Sequence, residues 1–146
     1  MVRAVSAFAL CLLVCPAFAE DRTLAELKNI GAQKVTRDEI AGVVAGKTVR
    51  FELDRSNKSL DFDKDGKVRG SMSLNVGKGR GAHVQAAGDW RVDDDRLCLD
   101  VQWHGARGGG GPEQWCRVVY RQGADYFAFD EEKDDSRPHA RFVPDK

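Results

Sequence analysis

The sequence predicts a mainly β protein: an antiparallel meander of about seven short strands, forming a small barrel or a curled sheet, preceded by two short N-terminal helices. Three observations predict it. Beyond Gly46 the apolar residues recur at every second position rather than every third or fourth. The alternating runs are separated by turn-forming clusters, among them Asp63-Lys64-Asp65-Gly66, Asp93-Asp94-Asp95 and Gln122-Gly123-Ala124. No helical pattern lies between successive strands, so the rhythm of a parallel sheet is missing, and no internal repeat suggests a propeller or solenoid.

The elements follow in chain order. Thr23-Leu24-Ala25-Glu26 and Thr36-Arg37-Asp38-Glu39 both have the capping-box form, in which Thr and Glu satisfy the free N–H groups of a helix start. Leu24, Leu27 and Ile30 share one face of the first helix, and Gly31 can end it. Ile40, Val43 and Val44 form the stripe of the second, with Gly46 closing it. Helices this short need a surface to pack on. Val49, Phe51 and Leu53 then alternate with charged residues, Ser56-Asn57-Lys58 reads as a turn, and Leu60 and Phe62 return. Val68, Met72, Leu74 and Val76 form one face of the next strand, and Val84, Ala86, Trp90 and Val92 one face of the following one. Leu97, Leu99, Val101 and Trp103 are followed by a long Gly-rich loop from His104 to Glu113. Trp115–Arg121 and Tyr126–Phe129 complete the meander. Residues 20–46 are thus a helical lead-in, 47–130 the meander, and 131–146 an acidic loop and a C-terminal tail containing Phe142-Val143.

The 146 residues suit a single domain, and 23 basic against 23 acidic groups leave no excess charge to drive nucleic-acid binding. Residues 1–19 read as a signal peptide. Arg3 gives the positive start, Ala4 to Val14 the apolar stretch, and Ala17-Phe18-Ala19 the small residues of a cleavage site before Glu20. That stretch is about half the roughly 20 residues a spanning helix needs, and no later segment is long and apolar enough to cross a membrane. Lipidation at Cys15 is the alternative, opposed by Val14 before it and Pro16 after it. The expected location is therefore the periplasm or the medium.

Removing the leader takes Cys11 and Cys15 and leaves Cys98 and Cys116. An oxidising compartment would pair them; two free thiols are the alternative. Cys98 has opposite parity to Leu97 and Leu99, and Cys116 opposite parity to Trp115. A bond between them would therefore staple neighbouring strands on the outer face.

Candidate sites are few. Trp103 and Trp115 bracket the Gly-rich loop and, with Tyr120, are possible ligand contacts, although aromatic residues also fill small β cores. Asp61, Asp63 and Asp65 before Gly66 spell the start of a calcium loop. Met72 stands where that loop needs its bidentate acid, and an Asp-rich turn explains the same residues. His83, His104 and His139 have no zinc-like spacing, and no nucleophile motif appears. No cofactor is expected.

Several stretches together resemble a family of small exported proteobacterial proteins, catalogued as domain of unknown function 995. They are Thr36–Ile40 leading to Gly46-Lys47-Thr48-Val49; Asp63–Gly66 before Val68-Arg69-Gly70; Gly88–Val92; Leu97-Cys98; and Trp115–Tyr120. The resemblance implies export, a β fold and the paired cysteines, and supplies no catalytic residue. The function expected is a non-catalytic ligand- or protein-binding module of the cell envelope. The alternatives are an enzyme whose Asp and Glu acid–base groups are scattered in sequence, or a calcium-responsive binding protein.

Overall fold

A computed structural model describes residues 22–53, 56–74, 82–105 and 110–145. The leader and the Gly-rich stretches 77–81 and 106–109 lie outside these residues. The elements are α1 (Leu24–Asn29), β1 (Gln33–Lys34), α2 (Arg37–Val44), β2 (Lys47–Leu53), β3 (Ser56–Phe62), β4 (Lys67–Leu74), β5 (Ala82–Asp93), β6 (Arg96–Gly105), β7 (Pro112–Gln122), β8 (Asp125–Phe129) and β9 (Ala140–Pro144). The strand order β1-β7-β6-β5-β4-β3-β2-β9-β8, with β8 also pairing to β7, closes β2–β9 into an eight-stranded up-and-down barrel. Every pairing is antiparallel, and β1 adds a short extra strand to β7. The expected small barrel is present; its closure through β8 and β9 leaves part of one strand flank, that of β7 before Val118, without a ladder partner.

Closure depends on a segment whose sequence reads as a tail. β9 pairs with β2 from Val49↔Pro144 to Glu52↔Arg141, and with β8 from Tyr126↔Phe142 to Ala128↔Ala140. Its alternation is only two apolar positions long, Ala140 and Phe142, and both are buried. A second correction concerns Ser56-Asn57-Lys58, which is strand rather than turn. Leu53 pairs directly with Ser56, so the connection is the two residues 54–55. The Gly-rich loop is shorter than expected as well: Trp103 and Gly111 exchange backbone hydrogen bonds, extending the β6–β7 ladder to that point.

Eight strands enclose a lumen that side chains can just fill, and here they fill it. Val49, Phe51, Leu60, Phe62, Val68, Leu99 and Phe142 are among its buried residues. α2 plugs the end where β2 begins, with Ile40 and Val44 in the same cluster. Its start is fixed twice: the Glu39 carboxylate accepts from the Thr36 N–H and hydroxyl, each at 2.9 Å, and Asp95 accepts the Arg37 N–H at 2.7 Å. Asp95 belongs to the β5–β6 turn, where Asp94 and Asp95 have φ of 46° and 57°, the geometry of a tight hairpin. α1 does not enter the barrel. Leu24 and Leu27 pack outside it against Val118, Tyr120, Phe127 and Phe129. Ile30, expected on the same face, caps the helix and is 44% exposed.

The disulfide is formed, on the outer face that parity allows. Cys98 and Cys116 are direct partners across β6 and β7, with Cα atoms 4.0 Å apart, on the face opposite Leu97 and Leu99.

Candidate binding site at the barrel mouth

The end of the barrel opposite α2 carries a polar cluster in the bore. Lys58 pairs with Phe51 and Met72 across the sheet and shares the inward parity of Leu60 and Phe62. Glu113 pairs with Val101 and shares the inward parity of Trp115. Three strands separate β3 from β7 in either direction around the barrel, so these two side chains start from opposite walls. They meet across the bore: Lys58 Nζ lies 2.6 Å from Glu113 Oε2.

Both flanking indoles converge on the same carboxylate. Trp103 Nε1 donates to Glu113 Oε2 at 2.7 Å, and Trp115 Nε1 donates to Oε1 at 3.0 Å. The Lys58 ammonium lies 5.3 Å from the centroid of the Trp103 ring, within cation–π range. Phe51 meets the Trp115 ring edge-on, and the Arg117 guanidinium stacks over it at 4.3 Å. Arg117 is in turn held by Asp130, whose Oδ1 accepts from Nε at 2.6 Å, while Oδ2 lies 3.1 Å from His139 Nδ1.

Ionisation follows from these contacts. Burial pushes the Glu113 carboxyl up, but Lys58 and the Trp115 and Trp103 N–H groups outweigh it and hold the group below its usual range. Asp130 shows the same balance: burial raises it, and Arg117 and His139 draw it lower. A carboxylate whose folded pKa is depressed contributes stability above its unfolded pKa, near 4.3 for Glu, and loses it as pH falls through the folded value. Urea midpoints measured from about pH 6 to pH 3 should therefore hold steady and then drop below about pH 4.5. Glu113→Gln should flatten the drop.

The structure brings two of the three expected aromatic contacts together and excludes the third. Trp103 and Trp115 share Glu113. Tyr120 lies on the outer face beneath α1, buried, with its hydroxyl donating to Glu132 at 2.5 Å. Burial and then Glu132 push its ionisation upward, which fits a structural anchor. The calcium candidates do not converge. Asp61 accepts from the Thr48 hydroxyl, Asp63 lies 3.5 Å from Arg69, and Asp65 accepts the Lys67 N–H. Among the described residues no group of three or more His, Cys, Asp or Glu is placed to hold a metal ion. The residues missed from sequence are Lys58 and Glu113. Their signal is parity: Lys58 stands at an inward position beside Leu60 and Phe62, and Glu113 at one beside Trp115, on a face that also carries the buried Arg117.

Comparison of the chain with family models, with curated proteins and with solved structures finds no match.

Proposed function

We propose that the protein is an exported, non-catalytic binding module of the cell envelope that seats a small ligand at the mouth of a filled barrel. The observation that carries this is the Lys58–Glu113 pair crossing the bore with both indole N–H groups on its carboxylate. A buried ion pair gains little stability over apolar side chains of the same volume, so filling the lumen does not call for one. A preorganised ammonium over the Trp103 ring, beside a carboxylate that also holds the Trp115 N–H, is, in contrast, a recognition surface. Lys58 makes one hydrogen bond, to Glu113, among the described residues, leaving donor capacity for a ligand that brings an acceptor group.

A binding role fits the electrostatics better than acid–base catalysis. Among the described residues every carboxylate with a resolved shift is displaced downward: Glu26, Glu39, Glu113, Asp130 and Glu132. A general acid working near neutral pH needs a shift the other way. Export rests on the pattern of residues 1–19, and membership of the family catalogued as domain of unknown function 995 on the motifs quoted above.

Fractionated small molecules from the cell envelope, screened by melting temperature and tryptophan emission, test the reading. At least one fraction should raise the melting temperature and shift emission in the wild type, and have neither effect on folded Lys58→Met/Glu113→Gln. Equal responses from both proteins, or no active fraction, would contradict it. The secreted product should have the mass of a chain beginning at Glu20.

A further inference from the structure

We propose that the Cys98–Cys116 disulfide is a thiol-exchange site, at which a small carboxylate-bearing thiol attacks Cys116 and releases Cys98. The proposal is separate from binding at the mouth, since the cysteines lie on the outer face.

The two sulfurs are not equivalent. Cys98 is 1% exposed, whereas Cys116 is exposed. Exchange requires a thiolate to approach one sulfur on the side away from its partner. The bond links β6 to β7, so the approach to Cys116 comes over the far flank of β7. That flank is uncovered by any strand at this level. β8 ends with the pair Val118↔Phe129, and the chain then leaves the sheet, so no strand lies beside Cys116 on that side. The opposite approach, onto Cys98, crosses β5, where Arg91 is its direct partner.

The surroundings suit an anionic thiol. Two surface depressions of about 290 and 390 Å³ flank the bond, and both cysteines line each of them. Arg91 lines the first and Arg96 the second, and neither makes an ion pair or hydrogen bond among the described residues. The acids nearby are largely occupied: Asp100 accepts from Gln114, and Glu132 is shared by Lys34 and Tyr120, while Asp93 and Asp94 sit at the turn beside the second depression. The Arg91 guanidinium next to Cys98 attracts a carboxylate and so concentrates a carboxylate-bearing thiol at the bond.

The electron pair of the incoming thiolate forms a new S–S bond to Cys116 Sγ, the Cys98–Cys116 bond breaks, and its pair stays on Cys98 Sγ, which takes a proton from water. One such exchange transfers no net electrons. A second thiol attacking the mixed disulfide would give the dithiol and the oxidised dimer of the small thiol.

Native protein is incubated with reduced glutathione at about pH 8, where a useful fraction of the thiol is ionised, and free thiols are trapped by rapid alkylation before peptide mapping. Glutathione is expected on Cys116 and the alkyl group on Cys98. Arg91→Gln, which keeps the disulfide, should slow the reaction with glutathione by about threefold or more and leave the rate with uncharged 2-mercaptoethanol unchanged. Glutathione on Cys98, exchange only in denaturant, or Arg91→Gln affecting both thiols alike or neither, would overturn the proposal.

Discussion

Lys58→Met is expected to lower stability toward urea by about 2 kcal/mol, a value reduced from that of a fully buried pair because both partners keep some solvent contact. The loss comes less from the missing attraction than from what remains. Glu113 would keep its burial and its two indole contacts but lose the cation that offsets that burial. The double variant Lys58→Met/Glu113→Gln should therefore be more stable than Lys58→Met alone, because a neutral amide replaces the carboxyl group that has lost its cation. It still accepts an indole N–H. The coupling between the two sites, read from a double-mutant cycle, should be about 1–2 kcal/mol. Additive losses would mean that the two side chains do not meet in solution.

Gly88→Val should cost still more, at least about 3 kcal/mol, and leave most of the protein unfolded or insoluble. Gly88 lies at an inward position of β5 between Val68 of β4 and Val101 of β6. A Cβ there would stand 2.0 Å from the Asp100 carbonyl oxygen and 2.7 Å from Val101 Cα. Both are backbone atoms, so relief requires β5 and β6 to separate at their centre. Gly42 is the control. It lies within α2, where an added methyl group would meet nothing within 4 Å, and Gly42→Ala should raise stability by about 0.5–1 kcal/mol through helix propensity. Chemical denaturation of the two variants decides the comparison.

Much of this fold is legible in the sequence because it is patterned locally. Val68 and Met72 on β4, and Leu97, Leu99 and Val101 on β6, alternate cleanly, and both helix starts are written in their Thr and Glu residues. The same counting places Cys98 and Cys116 on the outer face. Non-local features are harder to read. β9 offers only Ala140 and Phe142 as inward residues, and its identity as a strand comes from pairing with β2, some 90 residues earlier in the chain. The β1 strand is two exposed residues whose pattern carries no signal at all.

The site is legible by halves. Trp103 and Trp115 stand out as aromatic residues beside a Gly-rich connection, but nothing in their spacing shows that they share one acceptor. Lys58 is hidden because Ser56-Asn57 resembles a turn; extending the alternation of Phe62 and Leu60 by one step places it inside the barrel. Glu113 looks like a loop residue because Pro112 precedes it. Tyr120 misleads for the opposite reason, since its outward parity suggests an available ring where α1 in fact covers it.

The three indole N–H resonances, recorded by two-dimensional nitrogen–proton NMR for the wild type and Glu113→Gln, test the closed mouth most directly. Trp103 and Trp115 both donate to Glu113, whereas Trp90 donates to the Asp63 carbonyl oxygen at 2.8 Å. Two of the three signals should move strongly on the substitution while that of Trp90 stays in place. Three unmoved signals would contradict a carboxylate gripped by two indoles and a lysine across the bore.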